Sequence, residues 1–125
     1  MQAQKAEGTK DLIGSEMRAW QHMQEVAASV FEPYGFEPIE TPAIEQVDVF
    51  VHVVRKEMFR VFSGANFARV LEEGTDAKLK AKQRLALRPE GTAGVVRSVV
   101  ENNLVPQGAA PFKAYYAEAM FRGER

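Results

Sequence analysis

The run at residues 84–100 constrains this chain most. Residues 84–88 read Arg-Leu-Ala-Leu-Arg. On an extended strand, Leu85 and Leu87 face one side and Arg84, Ala86 and Arg88 the other. Pro89 and Gly91 stop the strand. Val95, Val96, Val99 and Val100 then recur at helical spacing and form one apolar stripe, assigned to core or to an interface. A strand that passes through Pro89-Glu90-Gly91-Thr92 straight into a helix commits this part of the chain to a mixed helix and strand fold, with Glu90 and Thr92 at the corner. Thr92 is the expected helix cap. A second compact signature, Met120-Phe121-Arg122-Gly123-Glu124-Arg125, follows the last apolar alternation.

The rest of the chain fits that picture. Ser15 is a plausible N-cap, with Glu16 favourable in the first turn. Trp20, Met23, Ala27, Val30 and Phe31 then predict an amphipathic helix, assigned like the valine stripe to core or to an interface. Pro33 and Gly35 stop it. Residues 36–44 read as extended, with Pro38 and Pro42 suited to an edge or an interface. Residues 46–54 are apolar and ambiguous. Residues 56–62 alternate like a strand, and 63–83 form an excursion between two strands with room for a short helix. Residues 112–122 read as a last strand, with Tyr116, Glu118, Met120 and Arg122 on one face. Strands joined by long excursions, with helices interspersed irregularly, predict α+β with an antiparallel sheet flanked by helices.

Composition narrows the class. At 125 residues the chain fits one modest domain or part of a larger one, and a hydrophobic content of 46% allows a core. A net charge of -1 gives no global basic field, and the absence of cysteine excludes disulfides and thiolate sites. His22 and His52 are far apart, so no histidine-based metal site is expected. Residues 1–10 are polar and nothing approaches a membrane span, so a soluble cytoplasmic protein is the expectation.

Each signature sets an arginine and a carboxylate close together where a strand meets a turn. Such a site suits a polyanion beside an ammonium group, and ATP with an amino acid is the obvious pair. Glu90 either binds a substrate ammonium, with Thr92 adding a hydroxyl, or is a helix N-terminal acid stabilised by the dipole. Arg122 either grips a phosphate oxygen bidentately, with Glu124 accepting from an exocyclic amine, or forms a local surface ion pair with it. Lys78, Lys80, Lys82 and Arg84 read as a solvated basic face or as a contact to a nucleic-acid backbone.

Taken in order, these segments resemble the N-terminal part of histidyl-tRNA synthetases, a class II aminoacyl-tRNA synthetase family. The resemblance covers nearly the whole chain, 1–125. It rests on Gly8-Thr9-Lys10-Asp11-Leu12, the helix carrying Trp20, Tyr34-Gly35-Phe36 and Ile39-Glu40-Thr41-Pro42. Lys56-Glu57-Met58-Phe59, Leu87-Arg88-Pro89-Glu90-Gly91-Thr92 and Phe121-Arg122-Gly123-Glu124-Arg125 continue it. It implies that Pro42, in class II motif 1, lies at a homodimer interface. It places Glu90 and Thr92 on the histidine α-amino group, Arg122 on the ATP α-phosphate and Glu124 near adenine, with Arg125 opening the motif 2 loop beside ATP. The implied reaction joins histidine to ATP as histidyl-adenylate, assisted by Mg2+, and then transfers the acyl group to tRNA(His).

The chain departs from the pattern in several places. Only Val51-His52-Val53-Val54-Arg55 joins Phe50 to Lys56, where such proteins carry a longer loop. Glu118-Ala119 stands where Gly-Pro is common, and 63–83 is a longer excursion than many members have. The remainder of motif 2, the histidine-specific segment, motif 3 and an anticodon-binding domain are not among the 125 residues, so little or no activity is expected of this stretch alone. An unpaired sheet edge predicts self-association. Another reading of the same resemblance is the synthetase-like regulatory subunit of ATP phosphoribosyltransferase, which binds histidine without charging tRNA; a third is a purely structural dimerisation module.

Overall fold

The computed structural model describes residues 3–52, 57–74 and 78–123, arranged as two compact units, Met1–Glu37 and Pro38–Arg125. The first unit is built on helix α1 (Ser15–Phe31). The sequence places Ser15 at the cap, but Gly14 occupies it with φ 60°, a left-handed angle that glycine adopts without steric cost, and no side chain caps the helix. Ser15 is the first helical residue instead. Pro33 tightens the helix end into a 3₁₀ turn, Glu32–Tyr34, and Gly35 ends it with φ 78°. The Phe31 and Phe36 rings meet at 5.7 Å across that turn. No residue of α1 is buried, so its apolar stripe, assigned to core or interface, is not core in this chain.

The second unit holds an antiparallel sheet, as the sequence predicts, and it has three strands. Strand β1 (Glu37–Pro38) belongs to a separate two-stranded sheet, and β2 (Ile44–Gln46), β3 (Arg60–Val61) and β4 (Leu85–Leu87) form the sheet in the order β2-β4-β3. Ile44 pairs with Leu87 and Arg60 with Ala86. Helix α2 (Gly64–Glu73) fills the excursion between β3 and β4; Ser63 caps it by accepting the Asn66 N–H, and Gly74 closes it. A 3₁₀ turn, Ala81–Gln83, leads into β4. Phe50, at the end of a 3₁₀ turn over the ambiguous Val47–Phe50 stretch, packs with Met58 and Ala86 as the buried apolar cluster, with Val47, Val49 and Ala93 against it.

The face of β4 that goes inward carries Ala86, fully buried, and Arg88; Leu85 and Leu87 are only half-buried. Helix α3 (Thr92–Glu101) follows. Its valine stripe does not form a core, since Val96 is 57% and Val100 75% exposed; Gly94 is the helix residue that is buried. The last strand is shorter than the expected 112–122. Strand β5 (Ala114–Tyr115) lies beside the start of the unit, with Ile39 N–H donating to the Tyr115 carbonyl at 3.0 Å. Beyond it, among the described residues, the chain forms an isolated bridge between Arg122 and Met58, with the Phe121 N–H on the Arg88 carbonyl and the Gly123 N–H on the Glu57 carbonyl. Tyr116 and Glu118 attach through their side chains, described next, and Pro38 and Pro42 cannot donate to a ladder in the facing segment. Among the described residues, no helix is long and apolar enough to cross a membrane.

Candidate functional site

The first turn of a helix leaves backbone N–H groups without intrahelical partners. At α3 these groups are met by Glu90: one carboxylate oxygen accepts the Thr92 N–H at 2.7 Å, the other the Ala93 N–H at 2.8 Å. The expected cap, Thr92, does not cap. Its hydroxyl lies 3.1 Å from the Tyr116 hydroxyl instead, because the longer Glu90 side chain reaches both amides first. A carboxylate has about four acceptor directions. Two remain on Glu90, so capping and binding an ammonium are compatible.

Gly91 is required here by close approach. A β-carbon at this position would sit 2.4 Å from one Tyr116 ring carbon and 2.8 Å from the next. Tyr116 thereby lies directly over the turn that carries Glu90 and Thr92. At Gly94 a β-carbon would meet the Thr41 hydroxyl at 3.1 Å.

Arg122 joins the same corner. Its Nε donates to the Pro89 carbonyl at 2.8 Å, and the neighbouring Phe121 N–H donates to the Arg88 carbonyl at 3.0 Å. Two arms separated by some thirty residues are thus zipped together, bringing Arg122 to the segment that presents Glu90 and Thr92. Glu124 and Arg125, the other two expected ATP-binding residues, lie outside the described residues, as do Val53, Val54, Arg55 and Lys56.

Beneath the turn lies a polar knot that the sequence did not single out. Arg88, only 7% exposed, donates through Nη1 to the Thr41 carbonyl at 2.6 Å and through Nε to the Ala119 carbonyl at 2.8 Å. Its Nη1 is 3.3 Å from Glu118. The available signal was Glu118 itself, a charged residue in the alternation that also carries Tyr116 and Arg122.

Pro42 is exposed and lies elsewhere, on an open concavity beside β2 shared with Ile44, Val49, Leu85 and Val100. One wall carries Arg97, which bonds Glu45 at 2.6 Å and Glu101 at 2.6 Å. The Glu45 carboxylate holds the Arg97 guanidinium above its ordinary pKa, against the opposing effect of burial and with help from Glu101. In the basic run, Lys78 lies 3.9 Å from Glu73 and Arg84 pairs with Asp48 at 2.9 Å. Among the described residues, no three His, Asp or Glu side chains gather in a way that could hold a metal ion.

No family model matches the chain. Over its whole length it is 38% identical, across 133 aligned residues, to the histidine–tRNA ligase of Limosilactobacillus fermentum. It is 41% identical, across 126, to that of Ligilactobacillus salivarius. It covers 27% of each, so the chain spans about a quarter of the length of the curated relatives it matches. Among solved structures it is similar to apo S. aureus histidyl-tRNA synthetase, with a TM-score of 0.72 and 28% identity over 97% of this chain and 26% of that one. A Bacillus halodurans protein described as an ATP phosphoribosyltransferase regulatory subunit/histidyl-tRNA synthetase also superposes with a TM-score of 0.72, over 98% of this chain and 28% of that one. At 18% identity that likeness shows the fold alone. The α+β architecture expected from the sequence is therefore the one found in solved histidyl-tRNA synthetases.

Proposed function

We propose that this chain, a homologue of part of the histidine–tRNA ligases, supplies the section of a class II catalytic domain that receives the amino acid's ammonium group and the α-phosphate of ATP. The observation that carries the reading is the meeting of Glu90, Thr92 and Arg122 at one corner, fixed through the Pro89 carbonyl. Glu90 offers a charge-assisted acceptor to the ammonium of histidine and the Thr92 hydroxyl a second one. Arg122 offers a planar guanidinium to a phosphate oxygen.

The histidine carboxylate is already ionised at neutral pH, so its attack on the α-phosphorus needs little proton transfer. The chain's contribution is to hold nucleophile and phosphate in line and to offset charge developing at phosphorus. Arg122 is the residue proposed for the second task; Glu124 and Arg125 are proposed to contact ATP from the continuing chain. Mg2+ would enter with the nucleotide phosphates. In the whole protein the acyl group passes to tRNA(His), Pro42 faces a second protomer of a homodimer, and the enzyme acts in the cytoplasm.

The test is histidine-dependent ATP–pyrophosphate exchange, with calorimetric binding of histidine alongside. Arg122→Ala should lower the exchange rate by about 10²- to 10³-fold, the usual cost of losing one donor to a developing charge. Exchange that survives this substitution would remove Arg122 from the role. Histidine binding with no exchange in the wild-type chain would leave two readings standing, the regulatory subunit and an enzyme section that needs the rest of its catalytic domain.

A further inference from the structure

Glu118 has no task in the binding scheme above, yet it is the most completely enclosed charge at the corner. Its side chain is 3% exposed. One oxygen accepts the Thr41 N–H at 2.5 Å, and both oxygens lie 3.3 Å from the Thr41 hydroxyl. The same oxygen that takes the Thr41 N–H is 3.3 Å from Arg88 Nη1. Arg88 closes the ring by donating to the carbonyls of Thr41 and Ala119.

Three chain segments are tied at this point: the approach to β2 at Thr41, the end of β4 at Arg88 and the last arm at 118–119. A buried carboxylate survives only where its partners are in place, so the geometry of each segment is set by the other two. The knot is one residue from the functional turn. Arg88 precedes Pro89, whose carbonyl holds Arg122, and the Arg88 carbonyl itself holds the Phe121 N–H.

We infer that Glu118 is a positioning residue. Its carboxylate is taken up by Thr41 and Arg88. It fixes Arg88 so that the 89–92 turn, with Glu90 and Thr92, and the arm bearing Arg122 are held in a single mutual geometry. What the turn binds rests on the proposed function; the positioning itself does not.

The experiment is amide hydrogen exchange by NMR on the 125-residue chain, comparing wild type with Glu118→Gln. This change keeps the shape and removes the charge that faces Arg88. The Thr92, Ala93 and Phe121 amides report on the corner, while Leu87, which donates to Phe59, and Val47, which donates to Arg84, report on the elements behind it. The corner amides should exchange on the order of tenfold faster relative to Leu87 and Val47. Acceleration that is uniform, or absent, overturns the inference, because a purely structural role loosens all of these together. If Glu118→Gln does not fold, Thr41→Val removes only the hydroxyl from the knot and is read by the same ratio. Histidine titrations of the same samples separate the two claims. A wild-type chain that fails to bind histidine overturns the proposed function, while the exchange ratio still decides the role of Glu118. If wild type binds, Glu118→Gln should bind about tenfold more weakly, and unchanged affinity overturns the positioning.

Discussion

Helix α1 and the N-terminal end of α3 differ in what they bury. Helix α1 carries Trp20, Met23, Val26 and Val30, exposed by 41–53%, and no residue of it is buried. The start of α3 is poorer in large apolar groups, yet its glycines lie under neighbouring side chains, its amides are capped by Glu90 and charged residues are enclosed beside it. The contrast teaches that apolar periodicity marks a helix without saying what fixes it in place. At α3 the fixing is done by close backbone approach and by a polar knot with every partner supplied. At α1 an apolar surface remains open, of the kind that marks an association face.

The largest effect expected from this contrast is at Arg88. Arg88→Ala leaves Glu118 enclosed without its cation, and removing one partner of a buried ion pair costs about 3–5 kcal/mol. Urea unfolding of wild type and variant measures it; a loss below about 1 kcal/mol, the range of an exposed pair, would show that the knot is wetter than its burial implies. Next comes Gly91→Ala. The added carbon must displace the Tyr116 ring, and crowding of this kind costs about 1–3 kcal/mol, with loss of the Thr92–Tyr116 contact. A variant as stable as wild type would mean that the ring swings aside freely and does not constrain the turn. The smallest effect belongs to α1. Met23→Ser should change stability by no more than about 0.5 kcal/mol in dilute solution, as for other exposed sites. A larger loss that grows with protein concentration in sedimentation and melting would break the comparison, because it would show a second copy covering the stripe.

Local pattern made much of this molecule legible, for reasons visible in particular residues. The alternation at residues 84–88 and the break at Pro89 located β4 and the corner, because a period of two and a missing N–H are properties of neighbouring positions. The inward face of β4 was not legible. Leucines are the larger apolar groups, but Phe50 and Met58 fill the space opposite, and the small Ala86 fits there fully buried. The cap was misassigned for a similar reason: threonine caps are common, but Glu90, two residues earlier, reaches both exposed amides and frees Thr92 for Tyr116. Residues 36–44 read as extended and 112–122 as a strand, yet the ladders they form are short, since prolines and side-chain attachments replace much of the backbone pairing there.

By itself the sequence determined the order of elements, the α+β class, the strand-to-helix corner and the residue types that suit an ammonium and a phosphate. These follow from spacing over a few positions and from the chemistry of single side chains. Only the tertiary structure decided that Arg122 lies on the Pro89 carbonyl and that Glu118 is locked to Thr41 and Arg88. Thr41 and Glu118 stand 77 positions apart, and Thr41 and Arg88 stand 47 apart. No periodicity pairs residues at such separations. Their meeting is fixed by the packing of the whole sheet and by the high cost of leaving a buried charge alone.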